Sequence, residues 1–88
     1  MLQQTMTIQN KRGLHTRAAA KLVDTAKKFG SRIEVVYHDR MVDCKSIMGV
    51  ITLGAQKDNR VEIIADGRDE KEALTAIYHL IDSKFGEE

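Results

Sequence analysis

The residues best suited to do chemistry in this sequence are a histidine and an arginine two positions apart, His15 and Arg17. The histidine comes immediately before a predicted helix, where several backbone N–H groups lack an intrahelical partner. Those groups and the positive end of the helix dipole favour a bound anion, such as a phosphoryl group on the imidazole. Arg17 offers a planar fork of donors to the same oxygens. Because imidazole is partly neutral near pH 7, His15 is suited to accept and release a phosphoryl group.

The segment before this pair predicts a strand and a loop. Leu2, Met6 and Ile8 share one parity, which indicates a first strand with one buried face. Residues 10–13 then form a loop, in which Gly13 allows the backbone to bend sharply. The strand and loop lead directly to the histidine.

The segment after the pair predicts a helix from Thr16 to Phe29. Gly30 follows at the position expected for a left-handed cap residue. The apolar residues with helical spacing are Ala19, Leu22, Val23 and Ala26. His15 therefore lies at the expected N-terminus of this helix.

The rest of the chain alternates between strand and helix periodicity. The predicted elements are strands at 33–37, 40–44 and 61–65, and helices at 46–53 and 69–81. His38 and Asp39 form the turn of a hairpin. Ser46 is a good N-cap for the short helix, and Asp69 with Glu72 resembles a capping box for the last one.

This order, βαββαβα, predicts an α+β fold: an open-faced β-sandwich in which three helices cover one face of a four-stranded antiparallel sheet. Glu34 and Glu62 lie on the opposite parity from the apolar strand residues and can face water. At 88 residues the chain has room for one core, so residues 1–88 are expected to form a single domain.

Composition excludes several functional classes. With 14 basic and 13 acidic residues the net charge is +1, which provides no general attraction to nucleic acid or membranes. No basic, apolar signal segment and no bilayer-spanning run is seen, so a cytoplasmic location without membrane insertion is expected. Cys44 reads as a small buried residue, and with His38 and His79 it forms no metal-ligand pattern.

The short second helix is unusually apolar. On a helical wheel Ile47, Met48 and Ile51 fall on one side, and Val50 and Leu53 fall roughly on the other. A helix lying on a sheet buries one side, so the first side predicts an exposed docking surface. The alternative is that all five residues belong to the core of a tilted helix.

Two stretches and the overall element order resemble a known family. The stretches are Gly13-Leu14-His15-Thr16-Arg17, with alanines after it, and Lys45-Ser46-Ile47-Met48-Gly49-Val50. They are similar to the histidine-containing phosphocarrier family, HPr, of the bacterial phosphotransferase system. The resemblance covers the whole chain. One departure is Ala18, where the family usually has proline; alanine preserves the helix but leaves the rigidity around Arg17 open.

The resemblance implies a function. His15 would accept a phosphoryl group on Nδ1 from enzyme I, which is charged by phosphoenolpyruvate, and deliver it to enzyme IIA domains, with Arg17 stabilising the phosphate. Such a protein is a stoichiometric carrier rather than an enzyme, and it needs no cofactor or metal. An open docking patch is compatible with a monomer.

The resemblance also implies docking and regulatory residues. The docking residues would be Thr16, Ala20, Ile47, Met48 and Ile51. Ser46 is by itself an N-cap, but in many HPr proteins the matching serine is phosphorylated by an HPr serine kinase/phosphorylase. A phosphate there would add negative charge beside the docking patch and repel an acidic partner.

Charge is unevenly distributed along the chain. The basic residues expected around His15 are Lys11, Arg12, Arg17, Lys21, Lys27, Lys28 and Lys45, and the acidic residues of the tail are Asp82, Glu87 and Glu88. This asymmetry predicts that acidic partners are steered toward His15. A charged, merely solvated surface gives much of the same pattern.

Two alternatives remain open, and a third is disfavoured. The chain could serve the nitrogen-related branch of the phosphotransferase system, with which residues 10–13 and 83–88 are compatible. It could be a regulatory relative acting mainly through Ser46, although such relatives typically lack the histidine. RNA binding on the open sheet is disfavoured, because Tyr37 is the one aromatic residue in a predicted strand and its parity points inward.

Overall fold

A computed structural model describes residues 1–87. The elements are β1 (Leu2–Thr7), α1 (Thr16–Ala26), β2 (Arg32–Tyr37), β3 (Arg40–Asp43), α2 (Ile47–Thr52), β4 (Arg60–Asp66), α3 (Glu70–Asp82) and a 3₁₀ turn (Lys84–Gly86). The strands form one antiparallel sheet in the order β1-β4-β2-β3. The predicted α+β fold, with a four-stranded sheet and three helices, is confirmed.

The core lies between the helices and the inward face of the sheet. The sheet contributes Met6, Ile33, Val35, Val61, Ile63 and Ala65, and the helices contribute Ala18, Ala19, Leu22, Val23, Val50, Ala73, Leu74, Ile77 and Ile81. Glu34 and Glu62 lie on the other face, as the parity predicted, and are half-buried. One face of the sheet thus holds the helices from which the site is built.

The first strand buries less than its parity predicts. Met6 is buried, and so is Ile8, which lies just beyond the end of β1. Leu2 has the same parity but remains 37% exposed. The reason is its position: it is the first residue of a strand at the edge of the sheet.

The predicted end of α1 is wrong. The helix stops at Ala26, and two tight turns follow, in which Lys28 N–H donates to Thr25 O and Phe29 N–H to Ala26 O, both at 3.2 Å. Gly30 is not a left-handed cap, because its φ is not positive. Its N–H instead donates to the Asp69 carboxylate at 2.9 Å, so a residue distant in sequence determines how the chain leaves the helix.

The predicted capping box of α3 is also wrong. Asp69 is the N-cap residue, but its side chain makes no bond to its own helix. The carboxylate accepts hydrogen bonds from the backbone N–H groups of Gly30 and Ser31 and from the Ser31 hydroxyl. The Ser31 hydroxyl and then the Gly30 amide lower the pKa of Asp69. Asp69 therefore ties α3 to the start of β2.

The hairpin and the short helix follow the prediction closely. Helix α2 spans Ile47–Thr52, within the predicted residues 46–53. His38, with φ of 56°, and Asp39 connect β2 to β3, which ends at Asp43 rather than Cys44. Tyr37 is partly buried against the core, and its hydroxyl donates to Asn59 Oδ1 at 2.8 Å. The inward parity that argued against an RNA platform is confirmed.

Candidate functional site

The loop before α1 depends on one glycine. Gly13 has a φ of +62°, and a Cβ atom there would lie 2.6 Å from the backbone oxygen of Ala55. The next residue, Leu14, donates its N–H to that same oxygen at 3.0 Å. Both the left-handed conformation and the close approach require glycine, so the predicted bend is confirmed. This bend delivers the chain to His15 at the start of the helix.

His15 is the N-cap residue of α1. Its backbone is extended, its carbonyl accepts the N–H of Ala19 at 2.8 Å, and its Nδ1 accepts the N–H of Arg17 at 3.3 Å. The imidazole is therefore turned toward the unpaired amides of the first turn, as the sequence predicted. The side chain is 15% exposed, so it is largely enclosed but still reaches the surface. Arg17 is exposed beside it.

The other ring nitrogen of His15 has a partner that the sequence did not predict. Its Nε2 lies 2.7 Å from Oε2 of Glu87. The second carboxylate oxygen, Oε1, accepts a hydrogen bond from Asn10 Nδ2 at 3.0 Å, and the same amide donates to the Gly13 carbonyl at 2.8 Å. Asn10 is fully buried. A chain of polar contacts thus connects the loop, the histidine and the C-terminal segment.

The sequence predicts a basic surface around His15 that contrasts with an acidic tail. This prediction is wrong for Glu87, which packs against the histidine. Lys11, Arg12 and Arg17 line a shallow cavity together with this glutamate. The physical reason is that the segment after α3 folds back over the start of α1. Glu88 lies outside the described residues.

The C-terminal segment is held in place by packing. After α3, Lys84 and Phe85 both adopt positive φ values, 59° and 56°, which non-glycine residues rarely do. The Phe85 ring is buried in the core, and its carbonyl accepts a hydrogen bond from Lys21 Nζ at 2.6 Å. Surrounding contacts therefore stabilise a backbone that would otherwise be unfavourable. This turn brings Glu87 to the histidine.

The electrostatics of Glu87 follow from these contacts. Partial desolvation is the largest single effect and raises the pKa of its carboxyl group, but the hydrogen bonds from Asn10 and His15 and the nearby positive charges together outweigh it, and the net result is a lowered pKa. Charge attraction from His15 and Lys21 acts in the same direction as those bonds. The carboxylate form is thus favoured at the site.

The second candidate region is the start of α2. Ser46 is its N-cap, and its hydroxyl accepts the N–H of Gly49 at 3.2 Å, as predicted. Ile47 and Met48 are 39% and 71% exposed, whereas Val50 and Leu53 are buried. The alternative in which all five apolar residues are core is therefore wrong.

The remaining predicted docking residues differ in how far they are exposed. Ile51 is half-buried and packs against the core, Thr16 is exposed, and Ala20 is half-buried. Helices α1 and α2 pack against each other, which places these residues on neighbouring helices. Lys45, next to Ser46, donates from Nζ to the Phe29 carbonyl at 2.8 Å.

The cysteine and the metal-ligating side chains of residues 1–87 provide no further candidate site. Cys44 is buried as predicted, and desolvation raises the pKa of its thiol to about 12. Among residues 1–87, no group of three or more histidine, cysteine, aspartate or glutamate side chains could hold a metal ion. In the same part of the chain, no helix has both the length and the apolar character needed to cross a membrane.

Comparison with known proteins identifies the family. The family model described as "PTS HPr component phosphorylation site" matches residues 2–83. The chain belongs to the HPr family. It is 48% identical to the phosphocarrier protein HPr of Cupriavidus necator and 46% identical to that of Neisseria meningitidis, in each case over 99% of this chain and 98% of the relative.

Solved HPr structures agree. The structure of HPr-C-His from Thermoanaerobacter tengcongensis has a TM-score of 0.96 and 50% identity, and covers 100% of this chain and 99% of that one. An HPr dimer from the same organism has a TM-score of 0.80 and 49% identity, over 99% and 100%. This HPr family member is a phosphocarrier of the phosphotransferase system, as the resemblance implied.

Sequence reasoning names His15, Arg17 and Ser46 as candidate site residues but does not single out Asn10 or Glu87, which contact the histidine site in the structure. Asn10 was assigned only to a loop and Glu87 only to an acidic tail. The two form one network with a histidine that is 72 positions from the glutamate. No local pattern signals such a contact, although the two burial-prone residues near Glu87, Phe85 and Ile81, indicate that the chain stays close to the core after α3.

Proposed function

We propose that His15 is the phosphoryl acceptor of this HPr family member and that its Nδ1 is the reacting atom. The observation that supports this most directly is the position of Nδ1, 3.3 Å from the Arg17 N–H at the start of α1. A phosphoryl group on that nitrogen would lie at the positive end of the helix, beside unpaired amides. Arg17, exposed next to it, supplies a bidentate cation for the phosphate oxygens.

The donor is enzyme I, charged by phosphoenolpyruvate, and the acceptors are enzyme IIA domains. In this role the protein is a stoichiometric carrier rather than an enzyme, since the donor and acceptor proteins complete each transfer site. It acts as a monomer in the cytoplasm. The partial exposure of His15 fits a group that must be reached by two different partners in turn.

The docking surface is formed by exposed and half-buried residues of α1 and α2: Thr16, Ala20, Ile47, Met48 and Ile51. Met48 is the most exposed of the apolar ones, and its flexible side chain can adapt to more than one partner. Ser46 is the regulatory phosphorylation site, at which an HPr serine kinase/phosphorylase would add negative charge beside this surface. Addition of enzyme I should perturb the NMR signals of Met48 more than those of Met41, which is exposed on β3.

The test of the central proposal is incubation with phosphoenolpyruvate and enzyme I, followed by intact mass measurement before and after acid treatment. We expect a single phosphoryl adduct that acid removes and that is absent from His15→Ala. His38→Ala and His79→Ala, which change exposed histidines elsewhere, are the matched controls and should retain it. An adduct that persists in His15→Ala, or the absence of any adduct with active enzyme I, would disprove the proposal.

A further inference from the structure

One contact of His15 involves a residue that the family model does not cover. The model matches residues 2–83, whereas the side chain bonded to Nε2 of His15 is that of Glu87, at 2.7 Å. We propose that Glu87 is a positioning residue for phosphoryl transfer: its carboxylate, held by Asn10, keeps the ring proton of His15 on Nε2 and leaves the lone pair on Nδ1. This inference rests on the proposed role of His15.

The two nitrogens of His15 make contacts that require the same tautomer. A neutral imidazole has one N–H and one lone pair. The backbone N–H of Arg17 can donate only to an Nδ1 that carries the lone pair. A carboxylate only accepts, so the contact with Glu87 requires the proton on Nε2. Together they assign the nucleophilic nitrogen, and they do so from opposite sides of the ring.

The carboxylate is itself fixed in position. The side chain of Glu87 is 12% exposed, so this contact differs from a solvated surface ion pair, which is worth little. Its second oxygen accepts from the fully buried amide of Asn10, which is anchored in turn on the Gly13 carbonyl. The backbone before it is held by the buried Phe85. Both oxygens of the carboxylate therefore have defined partners.

The transfer step shows what a carboxylate at Nε2 contributes. The Nδ1 lone pair leaves its hydrogen bond with the Arg17 N–H and forms the N–P bond, while the bond from phosphorus to the leaving atom of phosphorylated enzyme I breaks and that bond's electron pair stays on the donor. The ring loses no proton and gains a positive charge, which it shares with the N–H at Nε2. A carboxylate at Nε2 stabilises this charge, as the aspartate of a catalytic triad does for its histidine. In onward transfer the N–P electron pair returns to Nδ1.

The direct readout is the tautomer of the His15 ring, measured from its two ¹⁵N chemical shifts at a pH about two units above the ordinary imidazole pKa. In the full chain we expect Nδ1 to show the shift of a lone-pair nitrogen and Nε2 that of an N–H nitrogen. In Glu87→Ala the two shifts should move toward each other. Glu72→Ala, which removes an exposed carboxylate from α3, is the matched control and should leave them unchanged.

Transfer kinetics provide the second readout. Single-turnover phosphorylation by phosphorylated enzyme I should slow about tenfold in Glu87→Ala and remain unchanged in Glu72→Ala, because a charge-assisted hydrogen bond is lost only in the first. Glu87→Gln retains an oxygen that can accept from Nε2 but carries no charge. It should therefore keep the wild-type tautomer and give an intermediate rate.

The outcomes separate this inference from the function on which it rests. Unchanged ¹⁵N shifts in a folded Glu87→Ala variant, faster phosphorylation of that variant, or a slow rate explained by a lower Tm with normal shifts would each overturn the positioning role. If the shifts respond as expected but the wild-type chain takes up no phosphoryl group at His15, the proposed function fails and with it the catalytic meaning of the contact.

Discussion

Helices α1 and α2 begin in the same way but are completed differently. Each has an N-cap side chain that accepts a hydrogen bond from its own first turn, His15 from Arg17 and Ser46 from Gly49, at 3.3 and 3.2 Å. The serine satisfies its helix locally. The histidine also contacts Glu87, 72 positions away. Capping a helix is thus a local property, whereas orienting a ring for chemistry takes a tertiary contact.

The two helix starts also differ in their surroundings. The histidine is enclosed by the loop and the C-terminal segment, and its side chain is 15% exposed. The serine stands beside Ile47 and Met48, of which the latter is 71% exposed. The first arrangement suits a reacting group that needs a defined geometry, and the second suits a charge that changes how a surface is recognised.

The largest effect is expected at the glycine that leads into α1. Gly13→Ala should lower the free energy of unfolding by about 3 kcal/mol, because the new Cβ meets backbone atoms and the conformation is left-handed. Gly54, just after α2, has a similar φ of +68° but open space around it, so Gly54→Ala should cost only about 1 kcal/mol. Urea unfolding of both variants measures the difference. Equal losses would show that close packing does not distinguish the two sites.

At the start of α2, removal and replacement of the hydroxyl should have separable effects. Ser46→Ala loses the cap and should lower the free energy of unfolding by about 1 kcal/mol. Ser46→Asp keeps an acceptor for Gly49, so its stability should be close to wild type, but its charge should raise the KM for phosphorylation by enzyme I severalfold. Chemical denaturation and steady-state transfer assays measure these effects. A normal KM in Ser46→Asp would argue against regulation at this position.

The smallest expected effect is a pH dependence confined to the α1 site. Because the folded-state pKa of Glu87 is lowered, its carboxylate stabilises the fold above the unfolded pKa of about 4.3, and this contribution is lost as the pH falls through the folded value. A ¹³C titration of the Glu87 carboxyl should give a midpoint below about 4.3. Asn10→Ala, which removes a donor, should raise that midpoint. A wild-type midpoint at or above the ordinary value would contradict the contact. The Ser46 hydroxyl does not titrate in this range, so the stability that its cap contributes should not change with pH.

Much of the fold followed from local patterns, and two of the errors share one cause. The start of α1 was predicted correctly because His15 and the apolar spacing after it are local signals. Its end was not, because Gly30 is bonded to Asp69, a residue from another element. The same carboxylate left its own helix without a side-chain cap, so one long-range contact accounts for two wrong predictions.

The amino-acid sequence by itself determined the order of strands and helices, the placement of His15 at a helix start and the apolar side of α2, since each depends on residue spacing within a few turns. The tertiary structure alone decided which group contacts Nε2 of that histidine and which loop side chain holds that group. Glu87 and Asn10 meet there because the chain after α3 folds back and buries Phe85. Such a meeting depends on the packing of the whole core, which spacing along the chain does not encode.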